Sequence, residues 1–227
     1  MSDSTGEANE LTPPNSDVPE SYLPETEPAA ATVVFGDRVT LARRYAELLV
    51  RDSDTLGLLG PREMPKLWTR HILNSAVVSE LVPAGVSVAD VGSGAGLPGI
   101  PMAIAQPGSH FTLIEPMERR SDWLKLVVAD LGLTNVSVLR ARAEEVGEVF
   151  DLVTARAVSA LPKLLRLTVP LTKHGGAIIA LKGSKAAEEI EESKKLVKKL
   201  KIASFEVIHT GAQILDEATL VVRTTLI

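Results

Sequence analysis

Val86 to Pro101 reads VSVADVGSGAGLPGIP. An apolar, β-branched run (Val86, Val88, Val91) carries Asp90 near its end. It then breaks into three glycines at alternate positions, Gly92, Gly94 and Gly96, before an apolar stretch with Pro98 near its start. The pattern predicts strand, tight turn, helix. Glycines admit backbone conformations closed to other residues and let a ligand come close to main-chain N–H groups. Pro98 suits a first helical turn, where its missing donor is not needed.

Downstream the chain alternates. A helix runs from the turn to about Gln106, a strand covers His110 to Ile114, and a helix covers Glu118 to Leu131. Strands follow at Val136 to Leu139 and Phe150 to Thr154, with a helix over Leu161 to Leu171. His174-Gly175-Gly176 turns the chain into a strand over Ala177 to Leu181, and Ser184 to Leu200 forms a long amphipathic helix. Strands near Phe205 to His209 and Leu220 to Thr225 close the chain. This order predicts an α/β protein with a doubly wound, mostly parallel sheet. No helix separates the last two strands, so the final one is expected to be antiparallel.

Upstream, Phe35, Val39, Ala42, Tyr45 and Leu49 recur at helical spacing, with Asp37 placed to cap the start. A second helix is expected over Pro65 to Leu81; in it Trp68 reads as core, Arg70 as solvated and His71 as locally hydrogen-bonded. Met1 to Ala31, rich in Pro, Glu, Ser and Thr, reads as a disordered acidic tail. The expected divisions are thus 1–31 tail, 32–84 helical cap and 85–227 sheet domain.

The 227 residues carry a net charge of −5, but unevenly. Residues 1–37 hold eight acidic groups and no Lys or Arg, leaving 24 basic and 21 acidic groups in residues 38–227, a net of +3. The folded part is mildly basic. No run approaches the ~18 apolar residues of a membrane span, and no secretory signal is expected. The absence of cysteine excludes disulfides, zinc thiolates and thiol nucleophiles, and it fits a cytoplasmic protein. His71, His110, His174 and His209 show no metal-ligand spacing, so no metal is expected. The protein is expected to be a monomer.

Gly94-Ala-Gly96-Leu-Pro-Gly99 fits the G-x-G-x-x-G pattern, and Glu115 follows about 20 residues later. Both nicotinamide enzymes and methyltransferases use such a turn. Asp90, two residues before the first glycine, tilts the choice: a fixed negative charge serves a pyrophosphate poorly. S-adenosylmethionine has no phosphate and carries a sulfonium and an ammonium. Gly92, Ser93, Gly94 and Gly96 would cradle it, Glu115 would accept its ribose hydroxyls, and Ala143 with Glu144 would read the adenine. Arg156, after the fourth strand, would stand beside the reaction centre. Blander readings are that Glu144 favours a helix start and that Arg156 pairs with a carboxylate.

Together these residues resemble the small-subunit ribosomal RNA methyltransferase G family, also called glucose-inhibited division protein B. Five segments carry the resemblance: Trp68-Thr-Arg-His71-Ile-Leu, the DVGSGAGLPGIPMAI stretch, Arg142-Ala-Glu144-Glu, Thr154-Ala-Arg156-Ala and Ala180-Leu-Lys182-Gly183. The resemblance implies a Rossmann-like class I methyltransferase fold and methyl transfer from S-adenosylmethionine to N7 of one guanine in 16S rRNA of the small ribosomal subunit. By position it implies cofactor contacts at Gly92, Leu97, Ala143, Glu144 and Arg156, and basic residues Arg142, Arg156 and Lys182 around the reaction centre. Two departures stand out: Asn74 where the family commonly has Asp, and Asp216-Glu217-Ala218-Thr219 where many members carry a basic residue. Guanine N7 holds an in-plane lone pair and no proton, so the reaction needs no general base; alignment is the main contribution. Arg156 or Lys182 would donate to O6. RNA phosphates would meet Arg43, Arg44, Arg70, Arg119, Arg120 and the Lys194 to Lys201 cluster; the cluster reads equally well as a solvated helix end. The alternatives are a methyltransferase for a small molecule or protein, a non-catalytic S-adenosylmethionine-binding regulatory protein and, weakest, a nicotinamide oxidoreductase.

Overall fold

The computed structural model describes residues 22–227, so the expected tail over 1–21 lies outside them. Seven strands, β1 (Ser87–Val91), β2 (His110–Ile114), β3 (Val136–Leu139), β4 (Phe150–Arg156), β5 (Thr172–Leu181), β6 (Ile202–Thr210) and β7 (Thr219–Leu226), form one sheet in the order β3-β2-β1-β4-β5-β7-β6. The strands β1 to β5 pair in parallel, while β7 is antiparallel to both neighbours. The reversal has the expected cause: the link from β6 to β7 is too short for a crossover helix. The chain moves outward from β1 through β2 to β3, then returns to the other side of β1 for β4. This puts a topological switch point at the C-terminal end of β1, where the glycine turn begins.

Helices α4 (Gly99–Ala105) and α5 (Glu118–Asp130) pack on one face, α6 (Leu161–Thr168) and α7 (Ala186–Ser193) on the other. The helices ahead of β1, α1 (Ala30–Phe35), α2 (Val39–Leu56) and α3 (Asn74–Ala76), share an apolar cluster with α4 and α5. The cap and the sheet are therefore built on one continuous core. Polar ties reinforce the join: Arg44 pairs with Asp130 at 2.8 Å, and Trp123 Nε1 donates to Asp52 at 2.7 Å.

Several expectations need correction. Asp37 caps nothing; it lies in a 3-10 turn, Gly36–Arg38, between α1 and α2. The helix expected over Pro65 to Leu81 is instead a 3-10 turn (Pro61–Lys66), a π-helical turn (Leu67–Leu73), α3 and a second 3-10 turn (Val77–Leu81). The widened π turn buries Leu67, Trp68, His71, Ile72 and Leu73 together, more than one face of a regular α-helix would hold. Trp68 is core, as expected. The segment before Ala31 is tied down where the sequence reads as tail. Glu25 accepts from the main-chain N–H of Trp68 (2.8 Å) and Thr69 (3.0 Å), satisfying donors at the start of the π turn, and Glu27 pairs with Arg43 at 2.6 Å. His174 to Gly176 lie inside β5, which shifts register against β4 between Phe150 and Leu152. The helix expected over Ser184 to Leu200 is broken by a 3-10 turn, Lys194–Leu196, before α8 (Val197–Leu200).

Candidate active site

Because β1 to β5 are parallel, their C-terminal ends bring Gly92, Glu115, Arg142, Arg156 and Lys182 to one edge of the sheet. The turn after β1 is closed from within. Gly92 and Ser93 N–H donate to Ile114 O (2.9 and 3.2 Å), and Gly96 and Leu97 N–H to Ser93 O (2.7 and 3.1 Å). Gly94 N–H donates to Glu115 Oε2 (2.9 Å) and Gly99 N–H to Asp90 Oδ2 (3.1 Å). The main-chain donors expected to meet a ligand are thus already used. What the turn offers is close approach: Gly94 has φ +54°, and a Cβ there would meet nothing nearer than Gly92 O at 3.9 Å. A pyrophosphate needs free N–H groups, which these six residues do not supply. A cofactor without phosphate fits the turn.

Asp90 and Glu115 hold the turn. Asp90 is fully buried, with one oxygen on Gly99 and the other without a hydrogen-bonding partner among the described residues. Burial pushes its carboxyl up to about 7. It holds the turn from beneath through Gly99. Glu115 is buried too, and its second oxygen accepts from Met117 N–H at 2.9 Å. It bridges the loops after β1 and β2, so a ribose would have to share these oxygens' remaining lone pairs. From the cap, the buried Tyr45 hydroxyl donates to Ala95 O at 2.5 Å.

Arg156 closes β4 and is followed by Ala157 at φ +55°, a conformation that costs a residue with a Cβ about 1–2 kcal/mol. Its guanidinium reaches into the cap. Nη1 donates to Ser75 Oγ (3.0 Å) and His71 O (3.2 Å), and Nη2 lies 2.7 Å from His71 Nδ1. An arginine has no acceptor, so Nδ1 must accept and the ring proton sits on Nε2, 2.8 Å from Glu63 Oε2. Burial and the neighbouring Arg156 charge hold the imidazole down at about 4, which keeps it neutral. Glu63, His71 and Arg156 form a chain from the cap to the end of β4. The expected local role of His71 is replaced by this long-range one, and neither Glu63 nor Ser75 is marked by any sequence motif.

Lys182, expected beside the reaction centre, is engaged within the protein. Its ammonium is 2.8 Å from Glu189 and 2.7 Å from Ser159 O, with the side chain 9% exposed. The pair ties the residue just after β5 to α7. Arg142 is exposed beside the short turn Ala143–Glu145, where Ala143 is half-buried and Glu144 exposed. Among the expected phosphate contacts, Arg43 and Arg44 are paired with carboxylates and Arg120 with Gly57 O, while Arg70 is exposed and 3.6 Å from Glu63. The lysines around α8 descend to Ile202, which begins β6 at the edge opposite the glycine turn. They stand away from the strand ends that carry Gly92 and Arg156. Among the described residues no group of three or more His, Cys, Asp or Glu is arranged to hold a metal ion. No helix there is long and apolar enough to cross a membrane.

Sheet order, antiparallel last strand and glycine turn at the switch point define the Rossmann-like fold of S-adenosylmethionine-dependent methyltransferases. Solved structures agree: the chain resembles M. jannaschii TYW2 in complex with AdoMet (TM-score 0.55, 22% identity, 70% of this chain and 76% of that one). It also resembles a putative caffeoyl-CoA O-methyltransferase from Staphylococcus aureus (TM-score 0.52, 15% identity, 83% and 99%). The family model described as rRNA small subunit methyltransferase G matches residues 38–218. Proteins named ribosomal RNA small subunit methyltransferase G from Pseudarthrobacter chlorophenolicus (55% identity, 86% of this chain, 91% of that protein) and Clavibacter michiganensis (51%, 91% and 98%) align along most of their length. The chain belongs to the rRNA small subunit methyltransferase G family.

Proposed function

We propose that this protein transfers a methyl group from S-adenosylmethionine to N7 of a guanine in 16S rRNA, working as a cytoplasmic monomer. The observation that carries the reading is the glycine turn: the N–H groups of Gly92, Ser93, Gly94, Gly96, Leu97 and Gly99 are already hydrogen-bonded while Gly94 leaves open space, a cradle for a cofactor without phosphate. Family membership supports the rRNA acceptor. When bound, the cofactor supplies a methyl group made electrophilic by its sulfonium. Gly92, Ser93, Gly94, Gly96 and Leu97 shape the cradle, and Asp90 and Glu115 fix that shape. Ala143 and Glu144 stand where the adenine would be read. Arg156, with donors left over after binding His71 and Ser75, would hold the cofactor's carboxylate. No side chain has to remove a proton, because guanine N7 carries none. Lys182, bound to Glu189, supports the strand end and leaves base recognition to other groups.

Incubation with labelled cofactor and 30S particles undermethylated in their 16S rRNA tests the reading. The expected product, after digestion to nucleosides, is 7-methylguanosine. Label in another nucleoside, or in no RNA substrate, overturns it.

A further inference from the structure

Residues 157–160, which lead from β4 to α6, lie across the glycine turn. Val158 is 37% exposed, and a Cβ added at Gly92 would sit 3.0 Å from its Cγ2. The isopropyl group of Val158 therefore walls the turn beside Gly92. Upstream, Arg156 is anchored on His71 and Ser75. Downstream, Ser159 O accepts from Lys182 Nζ at 2.7 Å, and the N–H of Leu161, the first residue of α6, donates to Glu189 Oε2 at 2.6 Å. The same Glu189 oxygen stands 2.8 Å from Lys182 Nζ. One carboxylate of α7 thus holds the segment twice, directly and through the ammonium. Main-chain donors at a helix start lack intrahelical partners, and Ala160 gives α6 no side-chain cap, so Glu189 supplies the acceptor from another helix. Among the described residues, Lys182 is the one side chain from outside the segment that bonds the main chain of 157–160. Ala157, Val158 and Ala160 are exposed, and Ala157 keeps its positive φ. An exposed connection is ordinarily mobile, and a residue with a Cβ keeps such a conformation where its surroundings fix it.

We propose that Glu189 and Lys182 are positioning residues for the methyl donor: by fixing residues 157–160 they hold Val158 against Gly92 and set one wall of the cofactor cradle. The inference rests on the donor-site reading of the glycine turn above. A nearly buried ion pair loses to desolvation much of what its attraction supplies. The contact between α6 and α7 is otherwise apolar, through Leu161, Leu165, Ala186 and Ile190, and needs no charge to hold. What the pair adds is direction. The ammonium donates to one carbonyl and the carboxylate accepts from one N–H, which fixes the chain on both sides of Ala160. A wall set in advance spares the cofactor the cost of ordering the segment when it binds.

Calorimetric titration of S-adenosylhomocysteine into the wild type and its variants, each below its thermal midpoint, tests the proposal. Lys182→Met/Glu189→Gln removes the pair without leaving a lone buried charge, and it keeps an acceptor for Leu161 N–H. The dissociation constant should rise about 3- to 10-fold, and Val158→Ala alone should raise it by a similar factor. With Val158 already truncated, loss of the pair should add little, because the pair acts through that side chain. A pair that only stabilises the fold would lower the thermal midpoint and leave the affinity of the folded protein at the wild-type value. That result, or losses that multiply in the triple variant, overturns the proposal and leaves the donor site standing. Wild-type affinity in Val158→Ala, an exposed position, overturns it equally, whether or not the pair variant folds. A wild type that does not bind S-adenosylhomocysteine overturns the donor-site reading, and this one with it.

Discussion

The two halves of the site are built in contrasting ways. The donor half of the proposed site is one contiguous turn, Gly92 to Gly99, hydrogen-bonded within itself and to Ile114 of β2 and pinned by Asp90 and Glu115. The side around Arg156 is assembled from distant chain: Arg156 meets His71 85 positions away, Thr219 at the start of β7 donates to Asn74 O, and Gly211 lies against Val77. In the proposed function that local turn fixes where the methyl donor sits. In the same reading the long-range contacts adapt the common fold to an acceptor, with Arg156 joining the halves.

Replacing that residue should give the largest effect short of losing the cofactor. Arg156→Ala removes the junction and leaves His71 Nδ1 without its donor; steady-state methylation should fall about 10²-fold in kcat/KM. An unchanged rate would mean that the halves work without the link. One step back, His71→Phe removes the acceptor that positions Arg156 and should cost about 10-fold in kcat. His71→Gln, which keeps an acceptor, should recover most of it. Equal losses in the two variants, after correction for thermal stability, would make the role of His71 one of packing alone.

The smallest effect concerns stability on the donor side. Asp90 titrates near 7 in the folded protein against about 4 in an unfolded chain, so its neutral form is the one the fold favours. Its contribution is complete below pH ~4 and is lost as pH rises through about 7. Asp90→Asn, permanently neutral, should flatten the decline of the thermal midpoint between pH 5 and pH 8, measured by calorimetry; an unaltered slope would assign the decline to other groups.

The same contrast explains what could be read in advance. Strand alternation, the reversal of β7 and the glycine turn are carried by consecutive residues, so periodicity and glycine spacing revealed them. The π turn left no such trace, because its cause is the simultaneous burial of Trp68, His71 and Leu73 against partners elsewhere. Arg156 and Lys182 look alike in sequence, each a cation at a strand end. Only the fold shows that Lys182 meets Glu189 while Arg156 meets a neutral histidine. Glu25 looked like tail because composition cannot show that Trp68 and Thr69 have main-chain donors to satisfy.

The central claim is that the glycine turn is the donor site, and calorimetric titration of S-adenosylhomocysteine into Gly94→Val tests it most directly. Gly132→Val is the matched control, because Gly132 also has positive φ (+60°) and open space, at the end of α5. Both variants carry similar backbone strain. The account predicts wild-type affinity for Gly132→Val and no measurable binding for Gly94→Val. Binding of wild-type strength by a folded Gly94→Val would contradict it.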